Sequence, residues 1–211
     1  MDPRTLSRPE RQACRLCEKV RPFTQILTKT LIFDPWKILR LNICFLYCLG
    51  PLLRKREPSL RYIACNVYGP AAVSGNLVLF EAGLIPDAVA SVTAVTPKRN
   101  RNLNTPYGRN IQWLTVPRSS VFPCTYAVKD PPGYIRATTE KALLDQLYII
   151  RYTPQNYRLW KDFILEDLRI DEDALEKLDF TSMQELGRIF ESPKITMHVN
   201  CFLKYFGIQA F

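Results

Sequence analysis

The chain has 211 residues, 47% of them hydrophobic and 23% charged, which is the composition of an ordinary globular protein with room for one sizeable core or two small domains. Its net charge of +9 is unevenly spread: residues 1–60 carry 12 basic and 5 acidic side chains, whereas residues 151–211 carry 8 and 10. The single histidine excludes a metal site built on a histidine pair, and the eight glycines form no phosphate-binding loop.

Residues 1–67 are a basic N-terminal region without clean periodicity. The apolar run from Leu41 to Leu53 is broken by Gly50-Pro51 and is much shorter than the roughly 20 residues that cross a bilayer. No apolar secretion signal precedes this run. We therefore expect a cytoplasmic protein without membrane association, in which the seven cysteines stay reduced.

Four of the cysteines raise the question of a zinc site. Cys14 and Cys17 have the spacing of a zinc knuckle, and Cys44 and Cys48 follow four residues apart in the apolar run. The second spacing is equally that of two small core residues on a helix, and no histidine is near. Inert buried thiols are the favoured interpretation, so no metal or other cofactor is predicted. Zinc binding by these four cysteines stays an open alternative.

The middle of the chain, residues 68–150, predicts an α/β core. Val73, Leu77 and Phe80 share one face of a predicted helix that ends at Gly83, where a left-handed residue is expected. Clusters of β-branched residues between turn signals predict strands at Ala88 to Thr96, Arg109 to Val116, Thr125 to Val128 and Tyr134 to Ala137.

The rear of the chain predicts helices. Thr138 is expected to cap a helix with Glu140 in its first turn, where a carboxylate offsets the helix dipole. Further helix starts are predicted at Gln155, at Asp171-Glu-Asp173, at the capping box Thr181-x-x-Gln184 and at Ser192-Pro193. The predicted fold class is α+β: a small mixed β-sheet flanked by helices, followed by a C-terminal helical bundle.

No residue set predicts catalysis. His198, the one candidate general base, is expected on the surface or half-buried in a terminal helix. A metal-dependent nuclease would need converging carboxylates, but Glu140 and Asp145 point about 140° apart on a helix of 3.6 residues per turn. We therefore predict no enzymatic activity.

The basic residues favour a binding role. Lys98, Arg99 and Arg101 follow the strand that ends at Thr96-Pro97, and Arg109 follows the next turn, so a hairpin would gather four cations at one end of the sheet. With the cluster Arg54-Lys55-Arg56 they are candidate nucleic-acid-binding residues. A solvated hairpin tip collects the same residue types and stays the alternative.

Four segments in one order resemble the AbiEi family, the antitoxins of bacterial type IV toxin–antitoxin systems. Its members show a Gly-Leu-Ile-Pro turn after a helix, a strand running into Thr-Pro and basic residues, a Thr-Pro-x-Gly turn, and a helix beginning Pro-Glu-Lys-Ala-Leu-Leu-Asp. The corresponding residues here are Gly83, Leu84, Ile85 and Pro86; Thr96 and Pro97; Pro106 and Gly108; and Glu140, Lys141 and Asp145.

The resemblance implies a non-enzymatic antitoxin that opposes a nucleotidyltransferase-type toxin. In the family, an N-terminal winged helix–turn–helix also represses the operon through promoter DNA. That domain is not recognisable in residues 1–67, where Arg54-Lys55-Arg56 is a candidate remnant, and Thr139 replaces the proline that opens the family's helix. Here the toxin-opposing role is better supported than the DNA-binding one.

Three regions and three functions are thus expected. The regions are residues 1–67, the basic N-terminal part; 68–150, the α/β antitoxin core; and 151–211, the helical C-terminal part. The functions are a toxin-opposing antitoxin, a DNA-binding transcriptional regulator without a toxin partner, and, with least support, a metal-dependent nuclease.

Overall fold

A computed structural model describes residues 59–105, 110–129 and 133–208, together with two short strands nearer the N-terminus. The chain divides into two compact units, Met1–Glu57 and Pro58–Phe211. In the first unit, β1 (Leu39–Arg40) pairs antiparallel with β2 (Leu46–Tyr47). The predicted cysteine pairs and the cluster Arg54-Lys55-Arg56 lie outside the described residues.

The second unit is built on a mixed six-stranded sheet with the order β5-β6-β4-β3-β8-β7. The β4–β6 and β3–β8 pairs are parallel, and the other three pairs are antiparallel. The strands are β3 (Ala72–Val73), β4 (Val92–Thr96), β5 (Arg101–Asn104), β6 (Asn110–Thr115), β7 (Thr125–Val128) and β8 (Tyr134–Ala137).

Seven α-helices lie in the described part of the second unit: α1 (Leu60–Val67), α2 (Asn76–Glu81), α3 (Thr139–Ile149), α4 (Tyr157–Asp162), α5 (Glu172–Leu175), α6 (Phe180–Phe190) and α7 (Pro193–Tyr205). A π-helical turn, Phe163–Asp167, continues α4. The predicted α+β class, with a mixed sheet and a helical rear, is confirmed. None of these helices is long and apolar enough to cross a membrane.

The strand pairing corrects the predicted hairpin. β4 and β6 were expected to be joined by a turn, but they run parallel, with Val92 beside Ile111 and Thr96 beside Thr115. The chain between them adds β5, which pairs antiparallel with β6. The prediction missed β5 because Arg101-Asn-Leu-Asn104 has the composition of a turn. Tertiary pairing with β6 overrides that local preference.

The helix predicted from Val73 is also corrected. Ala72 and Val73 form the central strand β3, and the helix begins only at Asn76, after Gly75 with a φ of 69°. Val73 is fully buried, as the apolar pattern predicts, but it is buried in a strand between β4 and β8 and not on the face of a helix. A two-residue strand carries no periodicity of its own, so the pattern of Val73, Leu77 and Phe80 was assigned to one helix.

The helical rear begins and ends largely where the sequence predicts. The Thr138 hydroxyl accepts from the Lys141 amide, Asp171 caps α5, and Pro193 opens α7 after Ser192. The exception is α6, whose N-cap is Asp179 and not Thr181. The Asp179 carboxylate accepts from the Thr181 amide and from the Ser182 hydroxyl, so it displaces the weaker threonine cap.

Candidate nucleic-acid interface

One row of residues crosses the whole sheet and defines the side on which α1 lies. Paired strand neighbours point to the same side of a sheet. The row, in strand order, is Arg101, Trp113, Ala94, Val73, Arg136 and Tyr126. The Trp113 indole donates to the Ala64 carbonyl of α1 over 2.7 Å, which places α1 over this row. We call this side of the second unit the α1 face.

The apolar centre of the row is buried beneath α1, and its charged ends extend beyond it. Ala94, Val73 and Trp113 are at most 1% exposed. Arg101 is exposed at the β5 end, whereas the Arg136 side chain keeps 21% of its surface at the β8 end. The α1 face therefore carries a basic cluster on each flank of the helix.

The first cluster surrounds Tyr68, at the C-terminal end of α1. The Lys98 ammonium lies 5.1 Å and the Arg101 guanidinium 5.3 Å from the centre of the Tyr68 ring, and the ring packs edge-on against Trp113. Lys98 also donates to the Gly69 carbonyl, near the helix C-terminus, where cations are favoured. Two of the predicted cations are thus held in place together, on one aromatic ring.

Short polar side chains fix the segment that leads from Lys98 to Arg101. The Asn100 side-chain oxygen accepts from both the amide and the hydroxyl of Thr115, each over 2.7 Å, and the Thr115 hydroxyl also bonds the Lys98 carbonyl. Arg99 is exposed between them. Pro106, Gly108 and Arg109 lie outside the described residues, so their predicted place at the turn stays a prediction.

The second cluster was not predicted from the sequence. Arg61 at the start of α1 and Arg136 on β8 both pair with Glu81 at the end of α2, through different carboxylate oxygens. Arg136 also donates to the Tyr126 hydroxyl over 2.7 Å, and Arg61 lies 5.9 Å from the centre of the Tyr134 ring. The two arginines are 75 positions apart in the chain, and no local pattern connects them.

The motif residues of the resemblance have structural places. Gly83 ends α2 with a φ of 75°, and buried Leu84 accepts from the Asp171 amide through its carbonyl. The Thr96 hydroxyl donates to the Pro70 carbonyl over 2.9 Å. Glu140 accepts from the Asp179 amide and so joins α3 to α6. Ile85 is half-buried and Pro86 exposed in the loop that follows, and Pro97 is half-buried beyond β4.

Lys141 and Asp145 form an ion pair in the core. Both are 0% exposed; the ammonium pairs with one carboxylate oxygen and the Ser74 hydroxyl donates to the other over 2.6 Å. Burial lowers the pKa of Lys141 and raises the pKa of Asp145, and the attraction between the two opposes both shifts. The pair joins α3 to the loop after β3 and has no access to a substrate.

His198 corrects the expectation of a surface or half-buried residue. It is 0% exposed in α7, and its Nδ1 accepts a 3.0 Å hydrogen bond from the Trp160 indole. Burial, with a smaller contribution from the Lys194 charge, lowers its pKa to about 4. The local sequence around Val199 does not indicate that His198 is buried, because only the packing of α4 against α7 brings Trp160 to the histidine.

The cysteines of the described ranges are half-buried and carry no disulfide. Burial is the chief cause that raises the pKa of the Cys65, Cys124 and Cys201 thiols, which disfavours the reactive thiolate. No cluster of metal-ligating side chains occurs within the described ranges. A cavity of about 670 Å³ opens on α7 near Tyr157 and Lys204, away from both basic clusters.

Comparison with known proteins assigns no function, so the candidate interface rests on the contacts described above. No protein-family model, no curated protein and no solved structure matches the chain. What the described residues offer is a face with two clusters that combine arginine or lysine with tyrosine. Charged donors beside aromatic rings are the groups that bind a nucleic-acid backbone.

Proposed function

We propose that the chain is a non-enzymatic regulator of the antitoxin type, which opposes a nucleotidyltransferase-type toxin. The observation that carries the proposal is the way the motif residues connect. The segment after Gly83 bonds the N-cap of α5, Thr96 joins β4 to the loop before β3, and the Lys141–Asp145 pair joins α3 to Ser74 in the loop after β3. They therefore serve as one frame for the fold, which is the role expected of residues that characterise a family without a catalytic site.

Co-expression with a nucleotidyltransferase-type toxin tests the antitoxin role. We expect the toxin to arrest growth alone and growth to resume when the chain is present. The matched control is the Asp145→Asn variant, in which loss of the buried pair should lower the amount of folded chain and weaken the rescue. Persistent arrest, with folded chain present in excess over the toxin, would refute the antitoxin role.

DNA binding is the second candidate function, and the α1 face favours it. Arg61, Lys98, Arg101 and Arg136 lie on that face, and Glu81 pairs with two of them. A surface of this charge attracts the DNA backbone and releases its counterions on binding. An autoregulatory antitoxin and a transcriptional regulator without a toxin would both use it; only the first also rescues growth.

Salt dependence separates this binding from adventitious attraction. The Lys98→Ala/Arg101→Ala double variant should bind promoter DNA more weakly, and its log–log slope against salt should fall by about 0.9 for each DNA phosphate that the variant no longer neutralises. The control is Arg158→Ala/Lys177→Ala, which removes the same charge from exposed positions of the helical rear. Equal weakening by both double variants would mean that net charge, and not the α1 face, governs binding.

The metal-dependent nuclease alternative depended on Asp145, which the structure places in the core. It required Asp145 to hold a metal ion, but that carboxylate is fully buried and is occupied by Lys141 and Ser74. A metal that had to coordinate it would have to enter the core and displace the ammonium. We do not propose this activity.

A further inference from the structure

The contact between Arg61, Arg136 and Glu81 is unusual because one carboxylate is shared by two guanidinium groups. Each oxygen of Glu81 meets a different arginine, and the Arg136 contact is 3.0 Å long. The cluster keeps one uncompensated positive charge. Its side chains reach solvent, with 41% of Arg61, 21% of Arg136 and 26% of Glu81 exposed.

We propose that Arg61 and Arg136 form a phosphate-binding site, and that Glu81 occupies this site as an internal competitor. The ligand class is a phosphate group, carried by a nucleotide or by the backbone of a nucleic acid. The backbone source rests on the proposed DNA binding; the nucleotide source is independent of it.

The geometry of the donors fits a phosphate better than a carboxylate. A guanidinium group presents several N–H donors in a rigid plane, and two converging guanidinium groups offer more donors than two carboxylate oxygens can accept. The Nε atoms of both Arg61 and Arg136 are buried and lack a hydrogen-bond partner in the described structure. The terminal phosphate of a nucleotide has three acceptor oxygens, directed tetrahedrally, and carries more negative charge than Glu81, whereas a backbone phosphodiester matches the carboxylate in charge and differs from it in its tetrahedral geometry.

Two tyrosines complete the site. The Tyr126 hydroxyl already accepts from Arg136 and its own proton remains available for a phosphate oxygen, while the Tyr126 side chain is 45% exposed. The Tyr134 ring lies beneath Arg61 and limits the directions its guanidinium can take. The arginines are therefore held toward the point that Glu81 now fills.

Glu81 can leave the site by rotation of its side chain, while the backbone that follows stays hydrogen-bonded through Gly83 and buried Leu84. Glu81 is the last residue of a six-residue helix, and Gly83, two positions on, has open space around it. An exposed ion pair stabilises a protein little, so a phosphate of higher charge can replace the carboxylate at small cost.

Removal of the competing charge tests the proposal. In the full chain, Glu81→Gln keeps the size of the side chain but removes its charge and one of its two acceptor oxygens, and it should raise the affinity for ATP, used as the nucleotide probe, by about fivefold. Glu166→Gln, at an exposed position of the helical rear, makes the same change in net charge and should leave the affinity unchanged. Adding Arg136→Gln to Glu81→Gln should abolish the gain.

The unmodified chain provides a second measurement that does not depend on variant folding. In ¹⁵N-labelled protein, ATP should shift the Nε–H signals of Arg61 and Arg136 and leave the Arg158 signal in place. A short duplex of promoter DNA forms the other arm: shifts with ATP alone identify a nucleotide site, and shifts with DNA identify a backbone phosphate.

Two results would overturn the phosphate site. One is an equal gain in affinity for Glu81→Gln and Glu166→Gln, which would reduce the effect to net charge. The other is the absence of Arg61 and Arg136 shifts with both probes at saturating concentration. Growth rescue in the co-expression assay is a separate readout, so failure of the site and failure of the antitoxin role are distinguishable.

Discussion

Single residues of this protein place ionisable groups where solvent cannot reach them. Lys141 and Asp145 are buried together, and His198 is buried beside Trp160. Specific partners hold these groups: Asp145 accepts from both Lys141 and Ser74, and the indole N–H occupies Nδ1 of the histidine, whose buried Nε2 has no hydrogen-bond partner among the described residues. Removing one partner should therefore lower the free energy of unfolding by more than the interaction itself contributes to it.

Breaking the buried pair should be strongly destabilising. We expect Asp145→Asn to lower the free energy of unfolding by about 3–5 kcal/mol, because it leaves the Lys141 ammonium without a counter-charge. The Lys141→Met/Asp145→Leu double variant should be more stable than either single change, since it leaves no buried charge. Urea unfolding of the natural protein, Lys141→Met, Asp145→Leu and the double variant measures the coupling, and additive losses would contradict a coupled pair.

The histidine should make the protein sensitive to mild acid. Its pKa is about 4 in the folded state and about 6.5 in an unfolded chain, so the unfolded state binds the proton first as the pH falls. The contribution of the neutral histidine to the free energy of unfolding is complete above about pH 6.5. It is lost progressively as the pH falls to about 4, and the total loss is about 3 kcal/mol.

The comparison with His198→Gln isolates this contribution from that of the carboxylates. Between pH 7 and pH 5, urea unfolding should show a steeper loss of stability for the natural protein than for the variant. Since the chain has one histidine, its NMR titration reports the folded pKa directly. A pKa near 6.5 would contradict the buried, neutral imidazole.

At the scale of elements, tertiary contacts replace caps that the local sequence does not provide. α3 ends at Ile149 without a basic residue in its last turn. Lys194, in the first turn of α7, reaches across and donates to the Tyr148 and Ile150 carbonyls. These carbonyls would otherwise be left without an intrahelical donor.

Removing this contact should therefore weaken the junction of α3 and α7. We expect Lys194→Met to lower the free energy of unfolding by about 1.5–3 kcal/mol, the usual loss for a hydrogen bond to a charged donor. Lys177→Met, at an exposed position, is the matched control and should change it by less than about 0.5 kcal/mol. Equal stability of the two variants in urea would show that Lys194 is not a cap.

Taken as a whole molecule, the second unit has two unlike sides. The α1 face is basic and rich in tyrosine, whereas the opposite side of the sheet packs on α3, with α6 and α7 behind it. Of the helices after residue 150, which were predicted as a region of their own, α6 and α7 contact α3, and all of them belong to the same compact unit as the sheet.

That unit should fold without the residues before it. A fragment of residues 58–211 contains the whole sheet and the buried residues Trp113 and Trp160. We expect it to unfold cooperatively in urea and to show the near-ultraviolet circular dichroism of fixed aromatic side chains. A fragment with gradual, non-cooperative unfolding would show that Met1–Glu57 is needed for the core.

The sequence by itself determined the α+β class, strands β7 and β8 and most helix starts, because these depend on neighbours: β-branched runs between turns, the Thr138 cap of α3 and the proline that opens α7. It also identified Lys98, Arg99 and Arg101 as candidate binding residues. Only the tertiary structure decided the parallel pairing of β4 with β6, the burial of His198 and the meeting of Arg61 with Arg136. These contacts join residues far apart in the chain. Strand register and side-chain packing, and not local periodicity, determine which arrangement of such residues has the lowest free energy.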